Sequence, residues 1–202
     1  MTTSKALVKR LRTISAVLSA WLLSVATIWG IVYLFKWPAR LPILAAAAWL
    51  PACAIFAFCS QYRKLYVAGH ELTHWLVAKL FRRYTGRLRI FQHHGSLLVG
   101  RVNIWIALAP YFVPFYALCW CILSLPLLFH SSGAAIREVG IGVSYAQHWV
   151  LTCVILRRDL SDLKCFGRML SWSVILCMNL LALLGVLLLP RIDQTLIELF
   201  RD

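Results

Sequence analysis

The sequence His70-Glu71-Leu72-Thr73-His74 places two imidazoles and a carboxylate within five residues. Residues four apart lie one turn apart on the same face of a helix. His70 and His74 can therefore offer two nitrogens to one divalent ion, at the bonds of about 2.0–2.1 Å that zinc makes with histidine. Glu71 stands beside the first histidine, and in this pattern it acts as a general base rather than a ligand. It takes a proton from a water whose pKa the metal lowers toward about 7, and the same carboxyl can protonate a leaving amine. The chemistry is metal-assisted hydrolysis. The flanking residues, Leu65 to Phe81, are otherwise largely apolar. Charged residue types inside a membrane helix cost at least about 2.5–3.5 kcal/mol each, so three polar groups there call for a compensating partner, and a metal ion is one. The plainer alternative is a helix end at an interface, where the three residues are merely solvated.

A catalytic zinc wants a third protein ligand and an open position for water. The acidic residues are Glu71, Glu138, Asp159, Asp162, Asp193, Glu198 and Asp202. The last three belong to the C-terminal stretch. Glu138 lies beside Arg137 in a short connection and reads as a surface residue, although a different zinc-hydrolase arrangement would use it as third ligand. Asp159 and Asp162 remain, between two apolar segments, and either can reach the metal. Whichever does not has Arg157, Arg158 or Lys164 to pair with. His148 is a further polar residue in an apolar segment. It is a candidate ligand, a substrate-side donor, or one half of an interhelical hydrogen bond, the commonest role of such residues. His93 and His94 flank a turn and read as facing water.

The elements that must position these residues are apolar helices. The 202 residues are 61% hydrophobic and only 14% charged, with a mean hydropathy of +0.77. Soluble domains carry roughly a quarter charged residues, so lipid is the expected solvent. Stretches long enough to span a bilayer are Thr13–Phe35, Leu41–Ser60, Leu65–Phe81, Asn103–Phe129, Val139–Leu156 and Met169–Pro190, the fourth interrupted by Pro110, Pro114 and Pro126. The first is too long for a signal-peptide core and is read as a membrane helix. Between the third and fourth, residues 87–102 alternate apolar and polar around His94-Gly95, the pattern of a β-hairpin. The expected fold is thus an all-α polytopic membrane bundle of about six segments with one small hairpin. Residues 1–64 would form N-terminal membrane helices, 65–190 the core, and 191–202 an amphipathic tail.

The net charge of +14 comes from 21 Lys and Arg clustered at segment ends. That is where a membrane protein uses them for orientation and for contact with anionic lipid. No groove-reading module accompanies them, which excludes a nucleic-acid partner. They divide almost evenly between the two faces of a six-span arrangement, so orientation stays open. The seven cysteines are odd in number, lack a C-x-x-C pair and read as small buried hydrophobes.

The chain resembles the site-2 protease family of membrane-embedded zinc metallopeptidases and its uncharacterised bacterial relatives. The resemblance rests on Gly69-His70-Glu71-Leu72-Thr73-His74 in an apolar helix, followed by a short β-type insertion. It continues through Ala107-Leu108-Ala109-Pro110-Tyr111-Phe112-Val113-Pro114 and Ser161-Asp162-Leu163-Lys164-Cys165-Phe166-Gly167, covering roughly residues 64–180. The family usually has Gly at the position of Thr73 and an Asp-Gly pair that this chain lacks. The resemblance implies Zn²⁺ held by His70, His74 and a distant Asp, with Glu71 as base. Asp162 matches that Asp element best, and Asp159 is the reserve. It further implies hydrolysis of a membrane protein substrate within or beside the bilayer of a bacterial inner membrane. The hairpin would present an edge to an extended substrate strand. The alternative is a non-catalytic integral membrane partner whose motif has lost its function.

Overall fold

The computed structural model describes residues 2–36, 42–58, 63–91, 95–157 and 161–200. It is mostly helical. In chain order the elements are α1 (Thr2–Lys36), α2 (Ile43–Phe58), α3 (Arg63–Leu80), β1 (Thr85–Ile90), β2 (Gly95–Val99), α4 (Ile104–Leu108), α5 (Phe115–Leu123), α6 (Gly133–Leu156), α7 (Ser161–Cys165) and α8 (Arg168–Leu199). Short 3₁₀ turns, Ala109–Tyr111 and Leu125–Phe129, follow α4 and α5.

Among the described residues, three helices are long and apolar enough to cross a membrane: Arg10–Leu34 within α1, then α6 and α8. Six were expected. The helix α2 has only 16 residues, short of the roughly 20 that a span needs. The third expected segment, α3, carries the polar motif and is not among the three. The fourth is a broken pair, Ile104–Tyr111 and Phe115–Leu123, bent by 75°. Counted as one span, it brings the number to four. Large apolar side chains such as Leu22, Trp29, Leu123 and Met169 stand exposed, a surface suited to hydrocarbon rather than water.

The bend has a covalent cause. Pro110 and Pro114 have no backbone N–H, so the ladder of i→i−4 bonds fails twice within five residues. Asn103 caps the start of α4 by accepting from the Ile106 N–H at 2.8 Å. The core of the molecule forms where this short helix and its 3₁₀ turn meet α7 and α8. Leu108, Tyr111, Phe112, Leu163 and Ile175 pack together there.

The hairpin is present, shifted slightly from residues 87–102. Its strands are antiparallel, pairing Leu88 with Leu97 and Ile90 with Gly95, with an irregularity between Thr85 and Leu88. Gly95 belongs to β2 rather than to the turn; His93 and His94 lie outside the described residues. Leu88, Ile90, Leu97 and Val99 face inward, and both strands pack against α3.

Two differences from the sequence reading have one consequence. The helix α6 begins at Gly133 rather than Val139, and α8 runs through Pro190 to Leu199 rather than ending there. Arg137 and Asp193 are thereby both helical, and they meet. The Arg137 guanidinium donates to the two Asp193 carboxylate oxygens at 2.9 and 3.1 Å. Its Nη1 donates to the Cys121 carbonyl and to Ser124 Oγ. Arg137 is 2% exposed. Glu138, expected at the surface or at the metal, instead accepts from the Leu44 and Ala45 N–H groups at 2.8 and 3.3 Å. It satisfies orphan donors at the start of α2, where a helix dipole favours an anion. The cysteines are free among the described residues, and Cys153 and Cys165 are exposed rather than buried.

Removing one partner of a buried, hydrogen-bonded ion pair leaves the other charge uncompensated, at about 3–5 kcal/mol. Asp193→Ala is therefore expected to lower the unfolding temperature in detergent sharply. The double change Arg137→Met with Asp193→Leu should recover most of it. An Asp193→Ala protein as stable as the wild type would contradict the pair's structural role.

Candidate metal centre

Helix α3 carries His70 and His74 one turn apart, with ring centroids 4.8 Å from each other. Asp162 arrives from α7, whose Leu163 is buried in the core and whose Leu163 carbonyl accepts from Ser171 Oγ of α8 at 3.1 Å. Between α7 and α8 the chain turns at Gly167, with φ of +91°, a region that L-residues with side chains rarely occupy. Asp162 Oδ2 lies 3.9 Å from His74 Nε2. One donor atom from each of His70, His74 and Asp162 falls within 4.8 Å of the others. Tetrahedral zinc with bonds of about 2.0–2.1 Å holds donors roughly 3.4 Å apart. Small side-chain adjustments close that gap, and the three form a group that can hold a metal ion.

The surroundings orient each donor. His74 Nδ1 donates to the Ile106 carbonyl at 2.7 Å, so its Nε2 keeps a lone pair toward Asp162. That carbonyl is open because its helical donor would be the N–H of residue 110, which is proline. His70 Nδ1 faces Tyr66 Oη at 3.4 Å; a proton donated there leaves His70 Nε2 for a metal. Tyr111 donates its hydroxyl to Asp162 Oδ2 at 2.8 Å and sets its ring edge-on to His70, with centroids 5.3 Å apart. Metal-binding histidines and carboxylates characteristically have such partners.

Tyr111 is in turn held from behind. Its carbonyl has proline at i+3, and the Phe115 N–H goes to Val113 instead. Asn179 of α8 fills the vacancy, donating from Nδ2 to the Tyr111 carbonyl at 2.9 Å. The other Asn179 group, Oδ1, lies 3.3 Å from His148 Nε2. His148 thus takes the interhelical hydrogen bond rather than joining the metal-binding group.

Glu71 is buried and lies under the hairpin. A Cβ added at Gly95 would come within 2.6 Å of Glu71 Oε1, so only glycine lets β2 approach this closely. Thr73 satisfies its own hydroxyl on the Gly69 carbonyl at 2.7 Å. Of the other sequence candidates, Asp159 lies outside the described residues, and Glu138 is engaged at α2. Sequence reasoning missed Ile106, Tyr111, Gly95 and Asn179. Pro110 was the available signal for the first, since its missing N–H marks an open carbonyl four residues earlier.

Comparison with family models, curated proteins and solved structures finds no match to this chain.

Gly95→Ala should push the hairpin off α3, because the new methyl group and the Glu71 carboxylate compete for one space. Hydrogen exchange at the amides of residues 85–99 is expected to accelerate while α6 and α8 stay protected. Unchanged protection in the hairpin would show that β2 does not rest on Glu71.

Proposed function

We propose that the protein is a multi-pass membrane zinc metallopeptidase that hydrolyses peptide bonds of membrane protein substrates in or beside the bilayer. The observation that carries the reading is the convergence of His70, His74 and Asp162, drawn from two separate helices, next to a buried Glu71. The donor set of two imidazoles and one carboxylate suits zinc and leaves one position for water. When bound, zinc supplies Lewis acidity, lowering the pKa of a water in that position and polarising a carbonyl. His70, His74 and Asp162 would hold the ion, with Tyr111 and the Ile106 carbonyl fixing the last two donors. Glu71 takes one proton from the attacking water as its oxygen bonds to the peptide carbon. The carboxyl then delivers that proton to the amide nitrogen as the C–N bond breaks, leaving an amine and a carboxylic acid. The acid's remaining proton passes to the amine to give carboxylate and ammonium.

The apolar exterior and the long helices support a membrane setting. Helix α8, 32 residues long, measures about 48 Å and exceeds the roughly 30 Å of a bilayer's hydrocarbon core. A substrate helix in lipid must keep its backbone bonds satisfied, so cleavage requires local unwinding at the site.

Metal analysis of detergent-purified protein tests this reading. About one zinc per chain is expected in the wild type, lost in His74→Ala and in Asp162→Ala. Glu71→Gln should keep the zinc yet lose cleavage of co-expressed single-span membrane polypeptides by a factor of about 10² or more. Zinc lost only with His74→Ala would move the third ligand away from Asp162. A folded wild type without zinc would favour a non-catalytic membrane partner.

A further inference from the structure

On the flank of His70 away from Glu71 lies a small cavity of about 20 Å³, room for a single water-sized group. At 100° per residue, Glu71 stands about 100° to one side of His70 on α3, and Gly69 about 100° to the other. Tyr66, Gly69 and Thr73 line the cavity from that second side, and Gln147 and His148 of α6 close it from across the bundle. His148 is engaged with Asn179. Gln147 is different. It is 4% exposed, and its side-chain Nε2 has no hydrogen-bond partner among the described residues.

A buried amide donor without an acceptor is costly, more so among apolar helices, and such groups call for a reason. The geometry points to one. We propose that Gln147 donates from Nε2 to the scissile carbonyl oxygen of the substrate as that oxygen gains negative charge. The inference rests on the hydrolase reading above. In hydrolysis assisted by Glu71, the attacking water and its base sit on one side of the reacting carbon. The carbonyl oxygen is displaced toward the other side, where Gln147 lines a space of that oxygen's size. A donor placed where charge develops needs no reorganisation during the reaction. Its own polar group goes unmet in the resting protein, so the arrangement trades stability for catalysis. Gln147 would thus be a catalytic residue supplied by a helix that contributes none of the metal-binding group.

The test uses the zinc-loaded protein in detergent with two probes. A phosphinic dipeptide presents a charged oxygen in place of the developing oxyanion, whereas benzyl mercaptan binds zinc through sulfur alone. Gln147→Met keeps the side-chain volume and removes the donor. This variant is expected to hold zinc, to unfold at the same or a higher temperature, and to keep its affinity for the mercaptan. Its affinity for the phosphinic dipeptide should fall by about tenfold or more, as for loss of a hydrogen bond to a charged group. Unchanged phosphinic affinity would overturn the proposal. So would a Met variant that unfolds at lower temperature, sheds zinc, or loses both probes together, since Gln147 would then be a structural prop. A wild type that takes up zinc and binds neither probe would overturn the hydrolase reading itself, and this assignment with it. Mutant and wild-type results thereby separate the two failures.

Discussion

A missing hydrogen bond organises the centre of this molecule. Pro110 cannot donate to the Ile106 carbonyl, and the helix that begins at Ile104 breaks within two turns. In an apolar interior an open carbonyl must find another donor, and the donor here is His74 Nδ1. One covalent fact about proline thus selects the tautomer of a histidine on another helix and aims its second nitrogen at Asp162. The same break turns Tyr111 inward, where its hydroxyl reaches Asp162 and its carbonyl is met by Asn179. Without the break, α4 and α5 would run on as one helix, and neither side chain nor carbonyl would be presented to α3.

Two of the polar clusters in the structure are built to opposite ends. One surrounds His70, His74 and Asp162, with Gln147 Nε2 beside it unmet among the described residues. The other, around Arg137 and Asp193, is closed on itself, with the guanidinium shared among a carboxylate, a carbonyl and a hydroxyl. Buried charge is tolerable only when paired and hydrogen-bonded. The Arg137 cluster meets that condition from the chain alone, tying α5, α6 and α8 together. The first cluster gathers two imidazoles and a carboxylate whose donor atoms converge on one point, which is what a site requires and a structural lock does not.

How much of this was legible in the sequence follows from range. The i, i+4 spacing of His70 and His74 is local, and their shared face could be read directly. The alternation in residues 87–102 likewise announced a hairpin. Asp162 is remote, and only resemblance singled it out from Asp159. The contacts that orient the donors were not legible, because each joins elements whose relative placement no local pattern encodes. Tyr111 stands in the Ala107–Pro114 segment that carries the resemblance, but nothing local assigns it a partner. The sequence pattern puts Asp193 in a tail beyond Pro190, yet the helix continues and its last turns reach Arg137. Counting apolar windows also merged α4 and α5 into a single span, since hydropathy registers prolines only weakly while the backbone ladder registers them fully.

The central claim is that His70, His74 and Asp162 converge to hold a metal ion, with one position left for water. X-ray absorption spectroscopy of the zinc-loaded, detergent-purified protein measures that directly. The account predicts four light-atom neighbours at about 2.0–2.1 Å with the multiple-scattering signature of two imidazoles. One imidazole contribution should disappear in His70→Ala, and the light-atom shell should change in Asp162→Asn. Sulfur scattering at about 2.3 Å, or a spectrum indifferent to these substitutions, would place the metal elsewhere and contradict the account.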